Sequence, residues 1–163
     1  MTTPSSRPHV LHALHALRAT SFAIGALLLL AGLGVLLHQP MLIPPIAASA
    51  ALVHGAPGLP ISQPRNLVGG QLLAAVIGFA THAVTGSTSW GAAIAAGLSL
   101  GAMMLTRLSH SPAAATAVVV VLQGPHLVPF LPLLLLATVL LVAIGMLPGR
   151  VVGGQAVRYP LAW

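Results

Sequence analysis

The side chains that could do chemistry in this chain lie directly before two proline-led segments. Gln63, Arg65 and Asn66 surround one proline, and His110 and Ser111 stand immediately before another. The N-terminus of a helix has free N–H groups and a partial positive charge, so such positions can bind an anion. The guanidinium of Arg65 would add a fork of donors that suits a small planar oxyanion.

Three uncharged polar residues inside apolar segments complete this candidate site. Ser49 and Thr116 lie within two short segments, and Gln71 lies in the helix that follows Arg65. The predicted substrate-binding residues are Gln63, Arg65, Asn66, Ser49, Gln71, His110, Ser111 and Thr116.

Five of these residues also have a purely structural interpretation. The role of Arg65 can be limited to anchoring the topology, and that of Asn66 to capping the N-terminus of a helix. Ser49 and Thr116 can bond to a backbone carbonyl four residues back in their own helices. His110 can be a neutral histidine at the membrane interface. The sequence alone leaves these alternatives open.

The composition limits the chemistry that the chain can perform. Of its 163 residues, 57% are hydrophobic and 4% are charged; there are six arginines, and lysine, aspartate, glutamate and cysteine are absent. Without carboxylates or thiols there is no carboxylate pair for acid–base catalysis, no carboxylate proton relay and no cysteine zinc site. We therefore expect neither an enzyme nor a cofactor or metal site.

The low charge also predicts where the chain resides. Soluble domains carry about 25% charged residues, so we expect the lipid bilayer to be the main solvent of this protein. Its arginines stand singly among apolar runs and form no basic patch, which argues against nucleic-acid binding. The sequence therefore predicts an integral membrane protein.

Segment lengths predict six helices, of which the second and fifth are short or broken. Residues 20–37, 66–85, 90–106 and 127–147 are apolar and close to the roughly 20 residues that a membrane span needs. Residues 41–55 and 112–122 are shorter and start near prolines. Residues 45–53 and 112–120 share a proline, alanines, a hydroxyl residue and a final valine at matching positions. This repeat predicts two halves, about 20–85 and 90–147.

The arginines select a topology for these halves. If both short segments cross the membrane, all six arginines fall on one side, as the positive-inside rule requires. They are Arg7, Arg18, Arg65, Arg107, Arg150 and Arg158. We therefore predict an all-α, six-helix transmembrane bundle of two inverted three-helix repeats. One transmembrane domain, 19–148, would follow an interfacial segment, 1–18, and precede a tail, 149–163, with both termini on the cytoplasmic side of an inner (plasma) membrane.

Two motifs resemble a known family. Residues 61–70, Ile-Ser-Gln-Pro-Arg-Asn-Leu-Val-Gly-Gly, resemble the LAQPRN-x-x-GG signature of the HPP family of integral membrane proteins. Residues 110–117, His-Ser-Pro-Ala-Ala-Ala-Thr-Ala, resemble its HPPAGATA motif. The resemblance covers about residues 20–147. This chain departs from the pattern at Ser111, where proline is expected, at Gln71, where histidine is usual, and at Ala114, which replaces glycine.

The resemblance implies a function. Members of that family in chloroplasts and cyanobacteria are associated with nitrite transport, so a transporter of a small inorganic anion such as nitrite is expected. From the repeat we expect the site to lie between the two halves, and we expect a transporter of this size to form a homo-oligomer. The alternative is a non-transporting accessory or assembly subunit that packs within a larger membrane complex through small-residue helix faces.

Overall fold

A computed structural model describes residues 7–147 and 159–161 of the chain. In the order of the chain, the α-helices of this described part are α1 Arg7–Leu37, α2 Pro44–Gly55, α3 Pro64–Thr85, α4 Ser89–Thr106, α5 Ser111–Gln123 and α6 Leu127–Gly145. A short 3₁₀ turn, Pro60–Ser62, precedes α3. The described residues contain helices, turns and coil only, which confirms the predicted all-α fold. Residues 149–158 of the predicted tail, with Arg150 and Arg158, lie outside the described residues.

Local sequence explains where most of the helices begin and end. Proline stands in the first turn of α2, α3 and α5, where its missing N–H costs nothing. The side chain of Thr88 caps α4 by accepting a hydrogen bond from the N–H of Gly91. Arg107 ends α4 in the left-handed conformation, at φ 57°. The chain then turns directly into α5.

The first helix is longer than the sequence pattern indicated. It begins at Arg7 and continues unbroken through the segment that we expected to be separate and interfacial. Between Pro8 and Gly25 the sequence contains no residue that breaks a helix. The polar first turns therefore extend the same helix that carries the apolar span.

Within residues 7–147 and 159–161, four helices are long and apolar enough to cross a membrane: His12–Leu37 within α1, α3, α4 and α6. The other two, α2 and α5, contain 12 and 13 residues. At about 1.5 Å per residue they are roughly 18–20 Å long, which is less than the roughly 30 Å of a hydrocarbon core. The six-span topology and the inverted repeat remain predictions.

Hydrogen bonds at both ends of the bundle show that α3 and α5 run in the same direction. Near their starts, Nδ1 of His110 donates to the carbonyl oxygen of Ile61 over 2.7 Å. Near their ends, Nδ1 of His82 donates to the carbonyl oxygen of Val121 over 2.9 Å. We call the end that holds the starts of α3 and α5 the Arg65 end. The opposite end holds the connections 38–43, 86–88 and 124–126.

Two buried apolar clusters hold the helices together. One joins α1, α2 and α6 with one side chain each of α3 and α5. The other joins α3, α4 and α5. Small residues let α3 and α5 approach closely, because a Cβ added at Gly78 would lie 2.9 Å from Cβ of Val120 and 3.0 Å from the backbone of Ala117. Helices α3 and α5 therefore form a tightly packed pair beside α2.

Candidate functional site

Four of the predicted site residues form one hydrogen-bonded cluster inside the bundle. Ser49 of α2, Gln71 of α3, His110 before α5 and Thr116 of α5 are all fully buried. Nε2 of His110 lies 2.8 Å from Oγ of Ser49, and Nε2 of Gln71 donates to the same oxygen over 3.0 Å. The hydroxyl of Thr116 donates to Oε1 of Gln71. We call these four side chains the polar network.

Gln71 connects the two short helices through this network. Its amide nitrogen bonds to Ser49 of α2, and its amide oxygen bonds to Thr116 of α5. The two hydroxyl residues are those that the internal repeat pairs with each other. One side chain of α3 therefore links equivalent positions of the predicted halves.

The positions of the hydrogens in the network follow from its partners. A carbonyl oxygen only accepts, so Nδ1 of His110 carries the proton that it donates to Ile61. In the neutral ring Nε2 is then bare, and it accepts from the hydroxyl of Ser49. In the charged ring Nε2–H donates to Ser49, whose hydroxyl turns to the carbonyl oxygen of Pro45, 2.8 Å away. The Ser49 hydroxyl thus has two acceptors, selected by the charge of His110.

A glycine explains how His110 reaches this position. A Cβ at Gly70 would lie 2.8 Å from the carbonyl oxygen of Leu108 and 2.9 Å from Cβ of His110. Contacts that short do not occur, so only glycine lets α3 pass this close to the connection between α4 and α5. At the neighbouring Gly69, the atoms nearest to an added Cβ belong to the flexible side chain of Leu108.

The other predicted site residues lie at the Arg65 end, outside the polar network. Arg65 is exposed, and its Nη1 donates to the carbonyl oxygen of Arg107 over 3.2 Å. That carbonyl lies at the C-terminus of α4, where a helix is partly negative and attracts cations. Ser111 is exposed in the first turn of α5. The described structure therefore gives Arg65 a contact with a helix terminus.

Gln63 and Asn66 hold the loop that leads into α3. Nε2 of Gln63 donates to the carbonyl oxygens of Pro57 and Leu59 over 2.9 and 3.1 Å. The side chain of Asn66 donates to the carbonyl oxygen of Pro60 over 3.0 Å. Gln63, not Asn66, occupies the N-cap position of α3, and its side chain forms no cap hydrogen bond. The structural alternative for Asn66 was thus wrong in its detail, because the helix begins at a proline earlier in the chain.

The described part of the tail packs on this same loop. The hydroxyl of Tyr159 donates to the carbonyl oxygen of Ser62 over 3.0 Å. The N–H of Leu161 donates to Oε1 of Gln63 over 2.8 Å. Residues 159–161 therefore cover the turn that positions the Ile61 carbonyl opposite His110.

Tyr159 makes this packing measurable, because it is the chain's single tyrosine. Burial raises the pKa of its phenol above the ordinary value near 10. The folded chain therefore retains this proton better than the unfolded chain, and the stabilisation is lost as pH rises from the unfolded pKa to the higher folded pKa. We expect tyrosinate absorbance of the folded protein in detergent to appear only well above pH 10.

Denaturant provides the control for this titration. In the unfolded chain tyrosinate should form near pH 10. A folded protein that titrates at the same pH would contradict the buried placement of Tyr159.

A cavity of about 230 Å³ lies at the opposite end of the bundle. It opens between the connections 38–43 and 124–126, and its walls come from α2 and α6. Gln39 and His126 are polar, exposed lining residues, and Ile46 forms part of the buried wall. Sequence reasoning did not find this cavity, since its lining residues are distant in the chain and mostly apolar.

These features define a class of protein. A helical bundle with apolar spans and an acid-free polar network in its interior is a multi-pass membrane protein. Residues 7–160 match the family described as "HPP, transmembrane region". The chain belongs to the HPP family, as its two motifs predicted.

The curated relatives are longer proteins of Dictyostelium discoideum. One is named as a transmembrane protein and is 34% identical over 138 residues, which cover 77% of this chain and 46% of the relative. A second, also named as a transmembrane protein, is 38% identical over 82 residues, covering 48% of this chain and 26% of the relative. This chain thus spans less than half the length of these relatives. No solved structure matches it.

Proposed function

We propose that this chain forms a transmembrane pathway for a small inorganic anion, with nitrite as the substrate to test first. The observation that supports the proposal is the polar network, because its four side chains are fully buried and come from both predicted halves of the chain. Buried polar groups are costly in a membrane protein and characteristically mark a transport path. The proposed transport involves no catalytic step and no cofactor.

The network has the chemistry that an anion needs. Ser49 and Thr116 each have one O–H group, Gln71 has two N–H groups, and His110 gains a second N–H when it is protonated. The chain has no carboxylate to repel a negative charge. An oxyanion entering the network would accept bonds that these donors now give to one another. Protonation of His110 would add a positive charge where the anion binds.

The positive charges suggest an orientation for this pathway. Arg65 and Arg107 both lie at the Arg65 end, where the guanidinium of Arg65 contacts the backbone of Arg107. The positive-inside rule places such residues in the cytoplasm. We place the Arg65 end on the cytoplasmic side of an inner (plasma) membrane. Positive charge at one mouth also raises the local concentration of anions.

A non-transporting accessory subunit is the alternative, and one observation favours it. The network is closed, because each of its side chains bonds to another member. A network of this kind can fix the packing of the helices without binding a substrate. Purification in mild detergent distinguishes the two functions, since an accessory subunit would remain with unrelated subunits and a transporter would form a homo-oligomer.

Replacing Thr116 with valine tests the function directly. Valine preserves the shape of the side chain but removes the hydroxyl that donates to Gln71. A lost hydrogen bond of about 1.4 kcal/mol in the bound state corresponds to about tenfold in affinity. We expect nitrite uptake into proteoliposomes at low substrate concentration to fall by about tenfold.

Thr138→Val is the matched control. Thr138 is equally buried, but its hydroxyl donates only to the carbonyl oxygen of Leu135 on its own helix. Equal uptake by both variants would show that the hydroxyl of Thr116 in the polar network is not needed for transport. Uptake no faster than in empty liposomes for the parent protein would reject the function itself.

A further inference from the structure

Three apolar side chains separate the polar network from the opposite end of the bundle. Ile46 precedes the network serine by three residues on α2, and Ala75 follows the network glutamine by four residues on α3. Val120 follows the network threonine by four residues on α5. Since α2 runs toward the Arg65 end and α3 and α5 run away from it, each lies one helical turn beyond the network on the same side. We call these three residues the apolar layer.

The layer is buried and entirely apolar. Ile46, Ala75 and Val120 are all fully buried and belong to one apolar cluster. Because their partners in the network bond to one another, the three side chains are held at one level of the bundle. A path from the network to the opposite end must therefore pass apolar surface.

The cavity at the opposite end reaches this layer at one residue, Ile46. Ile46 lines the cavity and is also a layer residue. Leu134 and Ala137 of α6 line the cavity as well, and they belong to the same buried cluster. The cavity, the layer and the network thus follow one another along the bundle.

We propose that the cavity is the entrance of a small anion on the side opposite Arg65 and that the apolar layer is the closed barrier beneath it. The inference rests on the proposed function, since it places both features on the path of the anion. An apolar constriction excludes water. An anion that enters it loses its hydration shell and gains no hydrogen bonds in exchange, so it cannot cross. Ile46 is the main obstacle, because it is the largest of the three side chains and touches both the cluster and the cavity.

The chain contains no cysteine, so introduced thiols can report on access from one side. We place single cysteines at Leu133 in the cavity wall and at Ser49 beneath the layer. Thr116→Cys serves as a second reporter in the network, should Ser49→Cys fold poorly. The probe is a membrane-impermeant, negatively charged methanethiosulfonate, added to proteoliposomes from each side in turn.

We expect the Leu133→Cys protein to react from the cavity side and the Ser49→Cys protein to react at least about tenfold more slowly from that side. Adding Ile46→Ala to Ser49→Cys should remove the difference, because the shortened side chain opens the layer. Met103→Ala combined with Ser49→Cys is the control. Met103 is also buried but belongs to the cluster of α3, α4 and α5, so its truncation should leave the protection of position 49 intact.

Three results would overturn the proposal. The first is a thiol at position 133 that does not react from the cavity side. The second is a thiol at position 49 that reacts from that side as fast as the one at 133 in the otherwise unchanged protein. The third is that Ile46→Ala does not accelerate the reaction of the thiol at position 49. The labelling pattern does not require transport. If it is observed while nitrite uptake is absent, the barrier stands and the proposed function fails.

Discussion

Replacing His110 with alanine is expected to abolish anion uptake and to lower the free energy of unfolding by about 3 kcal/mol. The ring is fully buried and joins the Ile61 carbonyl to Ser49. Its removal would leave a cavity and two buried polar groups without this partner. Uptake into proteoliposomes and thermal unfolding in detergent measure the two effects.

His110→Asn separates a transport role from a packing role. An asparagine amide can occupy the place of Nδ1 and still donate to the Ile61 carbonyl, but it cannot reach Ser49. We expect this variant to unfold closer to the parent and to remain inactive. His15→Ala, at an exposed histidine of α1, should change neither quantity. Full uptake by His110→Asn would show that the Nε2 contact is not needed.

The second large effect is expected from Gly70→Ala. The new methyl group would meet the Leu108 carbonyl at 2.8 Å and Cβ of His110 at 2.9 Å. Backbone cannot yield as a side-chain tip can, so α3 and the loop before α5 must separate. We expect a loss of about 3 kcal/mol in the free energy of unfolding and, because His110 moves, a loss of uptake.

Two other glycines provide matched controls for Gly70. At Gly69 the added methyl group would lie 2.9 Å from Cδ2 of Leu108, which can rotate away. At Gly25 it would meet nothing within 4 Å, so better helix propensity should raise stability by up to about 1 kcal/mol. Thermal unfolding of the three alanine variants should therefore rank Gly25 above Gly69 and Gly69 above Gly70. Equal unfolding temperatures at positions 69 and 70 would contradict the close approach.

Composition and spacing determined much of the architecture. Apolar segments separated by proline and glycine predict six helices, and the bounds of α3 to α6 differ from the prediction by two residues or fewer. The start of α1 was missed because the polar residues before the apolar span were taken to lie outside the helix. Helix formation depends on backbone propensity, which residues 9–24 retain, and not on hydrophobicity.

The site was only partly readable from sequence. The repeat singled out Ser49 and Thr116. His110 belongs to the second motif, and Gln71 was chosen as an uncharged polar residue near the start of a helix. The structure brings these four residues together. The same reasoning added Arg65, which lies outside the network and bonds to the end of α4. Arg65 was chosen by its residue type, because any arginine at the start of a helix looks suited to binding an anion.

The sequence by itself determined that this protein is a helical membrane bundle, because hydropathy and helix breakers act locally along the chain. Only the tertiary structure decided which polar residues meet. Ser49 and His110 are 61 residues apart, and their contact depends on the packing that Gly70 permits. The apolar layer and the cavity likewise exist only where α2, α3, α5 and α6 come together, since burial depends on neighbours that are distant in sequence.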